Sequence, residues 1–412
     1  MSALKPVKRL LRRVRAELYA RRYGKLLKRL RSRVLRDPSY RVRVAFLVND
    51  NTKWNCQSVY DRMAEHPRFE PYIVVCKQDQ TELEEKTRSG YDDDLDFFKS
   101  RGIPFIEGYD RERTTHRELR DFKFDIVFFI QPWGFAEGIQ DLHTVARYAL
   151  SCSVPYSLPI CNDESDYNLS FHNTVWRVFL PSDLSLAIAH RLMDNGGANC
   201  VVSGYPKLDA YERVRRLVHD ESGKKTILYA PHHSFKNRLR FATFQWNGLA
   251  LLEYAKDHPE TQWVFKPHPR LKYELVACGI MTESEANAYY EAWARLPNGS
   301  LYLEGDYIKL FVRSDALITD CVSFLGEYLP SGKPVILPVN TESIGYNEFG
   351  ESIVSAYYKA YTIQELLDMI ERVVLRGDDV MQESRRAAAE MLVESRSTAE
   401  RVVLNLLHEL GA

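Results

Sequence analysis

Two short stretches of this 412-residue chain gather side chains able to handle an anion. Lys266-Pro-His268-Pro-Arg270 packs two cations and an imidazole into five residues, and His232-His233-Ser234 adds two more imidazoles. A third stretch runs from Ala316 to Pro338. Its first apolar run ends at Thr319-Asp320, followed by Ser323 and then Glu327, a break at Gly332-Lys-Pro334 and a second apolar run. That order predicts strand, tight turn, helix, strand. The first N–H groups of a helix lack partners and sit at the positive end of its dipole, so this turn and the Ser323 hydroxyl suit a phosphate. The alternative is an ordinary βαβ crossover with no ligand. Paired histidines also suggest a metal. No carboxylate or third histidine stands at ligand spacing along the sequence, so neither a metal nor a cofactor is expected.

The elements that must position these groups are short Val/Ile/Phe runs alternating with helical stretches. In the first half, strands are expected at 41–48, 72–76, 104–106, 124–130, 154–160, 176–180 and 200–202, with helices at 56–66, 92–101 and 139–150. In the second half, strands are expected at 226–230, 262–266, 301–303, 316–319 and 334–338. Helices lie between them, and tail helices follow at 363–376, 381–393 and 396–410. Continuous apolar strands separated by helices predict parallel sheets covered on both faces. The expectation is therefore an α/β chain of two Rossmann-like domains facing a cleft, 39–210 and 225–412, joined by a linker at 211–224. Ligands of such sheets bind beyond the carboxyl ends of the strands. Residues 232–234, 267–270, 304–306, 320–323 and 339–341 should thus converge. In the first half, Gln131-Pro-Trp133-Gly134 reads as a strand-end turn whose indole could wall an acceptor.

Charge is unevenly spread. The chain has 56 basic and 56 acidic residues, but residues 1–36 hold 14 of the former and one of the latter, Glu17, which leaves the remainder at −13. Leu4, Val7, Leu10, Leu11, Val14 and Leu18, then Leu26, Leu27, Leu30 and Val34, recur at helical spacing among these cations. Residues 1–38 thus read as a basic amphipathic helix ended by Asp37-Pro38. An anionic membrane surface is the expected partner of residues 1–36. Packing on the acidic body is the alternative, and nucleic acid is not expected because no basic-aromatic interleaving follows. Seven scattered cysteines without a Cys-x-x-Cys pair fit a reducing cytoplasm. No apolar stretch reaches the roughly 20 residues that span a bilayer, so the expected location is cytoplasmic, peripheral at the inner face of the membrane.

Several segments together resemble the CDP-glycerol glycerophosphotransferase family of teichoic-acid and capsule synthesis. They are Gly204-Tyr-Pro-Lys-Leu-Asp209, Ile227-Leu-Tyr-Ala-Pro231, Val264-Phe-Lys-Pro-His-Pro269, and Ile318 to Glu327 followed by Gly332-Lys-Pro-Val-Ile-Leu337. The resemblance covers about residues 200–340 and implies a GT-B fold and a CDP-activated polyol donor. It also implies that His268 is catalytic, contacting the pyrophosphate, with Lys266, Asp320 and Ser323 binding the donor and Glu327 its ribose. The strand-end positions add Arg270, His232 and His233 as donor-binding residues, and Lys207 of the Gly204–Asp209 segment joins them. Val322 stands where the family has a first serine, and Glu327 where it has an aspartate. The family's His-Gly-Thr-Pro segment is missing, which leaves His172 or Asp163 as the expected base for a glycan or lipid-linked acceptor. The reaction implied is attack of an acceptor hydroxyl on the β-phosphorus with departure of CMP. A GT-B glycosyltransferase or epimerase using a nucleotide sugar, and a non-catalytic GT-B membrane or partner-binding protein, remain alternatives.

Overall fold

A computed structural model describes residues 4–78, 90–215, 223–392 and 396–412. The chain divides into two compact units. The first comprises Met1–Pro159, Glu164–Asp209 and Glu394–Ala412, and the second Ile160–Asp163 and Ala210–Val393.

The first unit is built on a seven-stranded parallel sheet. Its strands are β1 (Val42–Val48), β2 (Phe69–Val75), β3 (Phe105–Glu107), β6 (Ile126–Phe129), β7 (Leu150–Ser153), β8 (Arg177–Leu180) and β9 (Cys200–Val202). A two-stranded hairpin, β4 (Tyr109–Asp110) and β5 (Thr115–His116), interrupts the series. The sheet order is β3-β2-β1-β6-β7-β8-β9, so the winding reverses between β1 and β6. β1 is buried almost throughout because helices cover both faces. The second unit repeats the plan with β10 (Thr226–Ala230), β11 (Gln262–Phe265), β12 (Gly299–Leu301), β13 (Ala316–Thr319), β14 (Val335–Pro338) and β15 (Tyr358–Ala360). Its order is β12-β11-β10-β13-β14-β15, reversing between β10 and β13.

Three expectations shift. The strand expected at 154–160 is instead β7, just before it. Pro155 and Pro159 cannot donate to a ladder, whereas Leu150-Ser-Cys-Ser153 is buried although it is not an apolar run. β15 was not expected. The domain limits also differ. The helix Thr398–Leu410 joins the first unit, where Val402, Val403, Leu406 and Leu410 enter its core. Asp209 fixes its start by accepting the N–H groups of Thr398 and Ala399, both at 2.9 Å. Conversely, Ile160–Asp163 joins the second unit: Asn347 N–H donates to the Ile160 carbonyl at 3.0 Å and Asn162 N–H to that of Gly345 at 3.1 Å. Of the expected linker, 211–215 is the end of a short helix and 216–222 lies outside the described residues.

The basic N-terminal segment forms one 33-residue helix, α1 (Leu4–Arg36). Ala16, Tyr23, Leu30 and Val34 bury on the first unit, and the Tyr23 hydroxyl pairs with Ser151. Part of its charge is spent on that unit: Arg12 meets Asp194 at 3.2 Å, Arg33 meets Asp125 at 3.3 Å and Arg31 meets Glu409 at 3.6 Å. Leu10, Leu11, Val14 and Leu18 stay exposed, at 62, 63, 48 and 59%. At 100° per residue they form a strip opposite the buried seam.

Candidate functional site

In the second unit, backbone pairing carries the histidines to one place. The ladder between β10 and β11 continues past both strands, with Lys266 N–H donating to the Tyr229 carbonyl at 2.8 Å and His268 N–H to that of Pro231 at 3.1 Å. His232 and His233 therefore come beside His268. The His233 and His268 rings stack with centroids 3.9 Å apart, and His232 lies 4.4 Å from His233 and 5.3 Å from His268. Each ring offers a nitrogen within 4.8 Å of the others. The third histidine that no sequence spacing shows is thus supplied by the neighbouring strand.

Asp320, after β13, locks this arrangement. One carboxylate oxygen accepts His232 N–H at 2.6 Å, and the other accepts both the N–H and the hydroxyl of Thr243, each at 2.6 Å. Burial raises its pKa to about 6 against the pull of these donors. With both oxygens committed to the loop after β10 and the approach to helix Phe244–Asp257, Asp320 serves as a buckle. The resemblance implies that Asp320 binds the donor; the hydrogen bonds of its carboxylate here run to His232 and Thr243.

The imidazoles are kept neutral at pH 7. Burial drives His232 and His268 well below the usual histidine value, and burial with the Arg270 charge takes His233 to about 4. Arg270 N–H donates to His268 Nδ1 at 3.1 Å. A backbone N–H can only donate, so Nδ1 is an acceptor and the neutral ring carries its proton on Nε2. A metal-bound histidine has the reverse arrangement, with its free nitrogen donating. Although the nitrogens are close enough for an ion, His268 is prepared to donate to an anion. His233 Nδ1 is buried without a hydrogen-bond partner among the described residues. Ser234 braces the loop, its hydroxyl meeting His232 Nδ1 at 2.7 Å and accepting Phe241 N–H at 2.9 Å.

The remaining expected donor residues divide. Lys266 is buried, gives its ammonium to the Glu304 carbonyl at 2.8 Å, and lies 5.3, 5.2 and 5.9 Å from the ring centres of Tyr302, Tyr307 and Phe324. Arg270 pairs with Glu274 at 2.6 Å. Ser323 is half-buried on the first turn of helix Val322–Tyr328. Glu327 is 1% exposed and accepts the Tyr307 hydroxyl. It is therefore interior. Asp163 is buried and bound to Arg238.

Lys207 and His172 belong to the first unit. Lys207 is half-buried on the turn Pro206–Asp209. His172 Nδ1 accepts Leu169 N–H at 3.3 Å, closing the first turn of its own helix, Ser170–Thr174. Burial lowers its pKa to about 4. Both features describe an imidazole held in the fold. Sequence reasoning placed Ser234 at the strand end and missed Thr243, Tyr302 and Tyr307. Only Thr243, a small hydroxyl residue just before the helix Phe244–Asp257, left a signal that could have been read.

The family model for CDP-Glycerol:Poly(glycerophosphate) glycerophosphotransferase matches residues 169–404. No curated protein matches the sequence. Among solved structures, the wall teichoic acid polymerase TagF is similar over 99% of this chain and 98% of its own, at 13% identity and a TM-score of 0.57. The S. aureus MnaA–UDP co-structure covers 90% and 97% at 14% identity, TM-score 0.57. The Neisseria meningitidis UDP-GlcNAc 2-epimerase bound to UDP-GlcNAc covers 89% and 100% at 13% identity, TM-score 0.56. The α/β fold of parallel sheets shared with these structures is GT-B.

Proposed function

This chain belongs to the CDP-glycerol:poly(glycerophosphate) glycerophosphotransferase family, and from that premise we propose that it transfers glycerol- or ribitol-phosphate from a CDP-activated donor. The acceptor is a hydroxyl of a cell-surface glycan or a lipid-linked acceptor, and CMP is released. The observation that carries this reading is the three-imidazole cluster buckled by Asp320 beside Arg270.

Phosphoryl transfer needs positioning and fixed positive or hydrogen-bonding groups more than covalent chemistry. His268 supplies a directed N–H, and the Arg270 and Lys266 charges add to the field. A bound pyrophosphate favours the protonated imidazoles that burial disfavours, so the cluster takes up protons as the donor binds and can return one to the leaving phosphate. Ser323 adds a proposed donor contact, with Glu327 toward the ribose. Of the two groups expected as base, His172 closes its own helix through Nδ1, so Asp163 is the one retained. The exposed strip Leu10, Leu11, Val14 and Leu18 on α1 supports peripheral attachment to an anionic membrane at the cytoplasmic face. No helix among the described residues is long and apolar enough to cross a membrane.

The test is label transfer from CDP-glycerol and CDP-ribitol to membrane acceptors, with CMP release measured alongside. Wild type should transfer from one of them, and His268→Ala should fall by about 10²–10³. Transfer by His268→Ala at the wild-type rate would remove the histidine cluster from the reaction. Thermal stabilisation by UDP-sugars but not by either CDP-alcohol would favour the nucleotide-sugar alternative.

A further inference from the structure

The first unit has its own reversal point, between β1 and β6, and the residues just beyond these strands form a buried polar cluster that the donor chemistry does not use. Asn49 and Asp50 follow β1, and Gln131 to Gly134 follow β6. Asn49, Asp50 and Gln131 are each 1% exposed. Gln131 Nε2 donates to Asn49 Oδ1 at 2.6 Å, and Asn49 Nδ2 to the Trp133 carbonyl at 3.0 Å. Lys53 bonds Gln131 Oε1 and pairs with Asp50 at 3.0 Å. Gln78 Nε2 is buried with no partner among the described residues. Gly134 turns at φ +78, the left-handed region that favours glycine, with Gln78 Oε1 close against it.

Two aromatic rings edge this cluster. Trp133 and Tyr156 meet edge-on with centroids 6.0 Å apart, and the Lys53 ammonium lies 5.7 and 5.5 Å from them. Trp133 is 40% exposed, a large apolar face left to solvent beside a cluster of amides. The cluster satisfies most of its own polar atoms, and Gln78 Nε2 is left over beside the strand ends, where the crevice of such a sheet takes its ligand. Lys53 and Asp50 pair with each other, and a second buried carboxylate, Asp94, accepts Asn51 N–H at 2.6 Å beside them, so the strand ends do not favour a phosphate.

We propose that this crevice binds a neutral polyhydroxylated group, a sugar ring or a polyol. The C–H face of the ligand would lie on Trp133, and a ligand hydroxyl would accept from Gln78 Nε2, the donor that the cluster leaves over. A flat aromatic wall takes up the apolar face of a sugar, while side-chain amides both donate and accept as hydroxyls do. The inference deepens the function proposed above and rests on it only in identifying this ligand with the acceptor.

The experiment titrates the full chain with methyl α-glucoside, methyl β-galactoside, methyl N-acetyl-β-glucosaminide and ribitol, with glycerol 1-phosphate as the anionic contrast. Saturation-transfer NMR and tryptophan fluorescence are the readouts. At least one neutral probe should bind saturably. Binding should weaken about tenfold in Trp133→Ala and persist in Trp133→Phe, with unchanged melting curves and no effect of His268→Ala. A saturable neutral probe in a protein that accepts no CDP-alcohol keeps this site and removes the donor reading. The proposal is overturned if no neutral probe binds saturably, if Trp133→Ala binds as wild type does, or if glycerol 1-phosphate is the only ligand.

Discussion

The two units solve one topological problem with opposite chemistry. Each winds a parallel sheet outward from a central pair of strands, and each places its polar residues where the winding reverses. Beyond β10 and β13 the chain puts three imidazoles and a buried carboxylate. Beyond β1 and β6 it puts amides, a balanced ion pair and an indole. Backbone topology fixes where a site can form, whereas the residues following each strand decide whether it answers to charge or to hydroxyl groups.

The sharpest way to break this comparison is to exchange its consequences. His268→Ala should abolish transfer while leaving neutral-glycoside binding intact, and Gln131→Ala should raise the acceptor KM with the donor KM unchanged. A rise in donor KM for Gln131→Ala would blur the division. Next comes Asp320→Ala, which strands His232 N–H and two Thr243 donors in the interior. It should cost about 2–4 kcal/mol in denaturant unfolding, and a wild-type midpoint would show that the buckle carries no stability.

A smaller effect is pH dependence. His233 near 4, with His232 and His268 well below their ordinary value, favours the fold at pH above 6.5, and that contribution is lost as pH falls from 6.5 toward 4. Asp320, raised to about 6, acts in the opposite sense and gains stability for the fold as pH falls through 6. Three histidines outweigh one carboxylate, so acidification should lower the melting temperature. CDP affinity should nevertheless rise between pH 8 and pH 6, because the anion favours protonated rings, while glycoside binding stays flat. Calorimetric titration across that range measures both. Smallest, in catalytic terms, is Leu11→Glu with Leu18→Glu on α1. It should reduce sedimentation with anionic liposomes at least tenfold and leave CDP binding unchanged; equal sedimentation would leave the exposed strip without a membrane role.

Much of the second unit could be read from sequence because its strands are unbroken apolar runs. Thr226–Ala230 and Ala316–Thr319 appear at the expected limits, and the strand-end rule then leads directly to His232 and Asp320. What Asp320 does could not be read, since three of its hydrogen bonds come from residues 77 to 88 positions away. The state of His268 was equally hidden: its tautomer depends on a backbone N–H, and its charge on burial. In the first unit β7 escaped because its serines satisfy themselves inside the core, as Ser151 does with Tyr23. Trp133 was visible as a strand-end aromatic. Its amide neighbours Asn49 and Gln131 follow equally apolar strands and were open to the same rule.

The contact between Asp209 and the helix at Thr398 has a consequence in time. The two are 189 residues apart, and Gly204, at φ +95, packs directly against Thr398. At roughly 5–20 residues per second, on the order of 10–40 s of synthesis separate them. During that interval the first sheet has been made but lacks Val402, Val403 and Leu406 from its core. The second unit is complete in sequence before the first can close. The nascent chain thus exposes an apolar groove along helix Gln57–Glu65 and α1 that a chaperone can hold, and that a peptide copying residues 398–410 can fill.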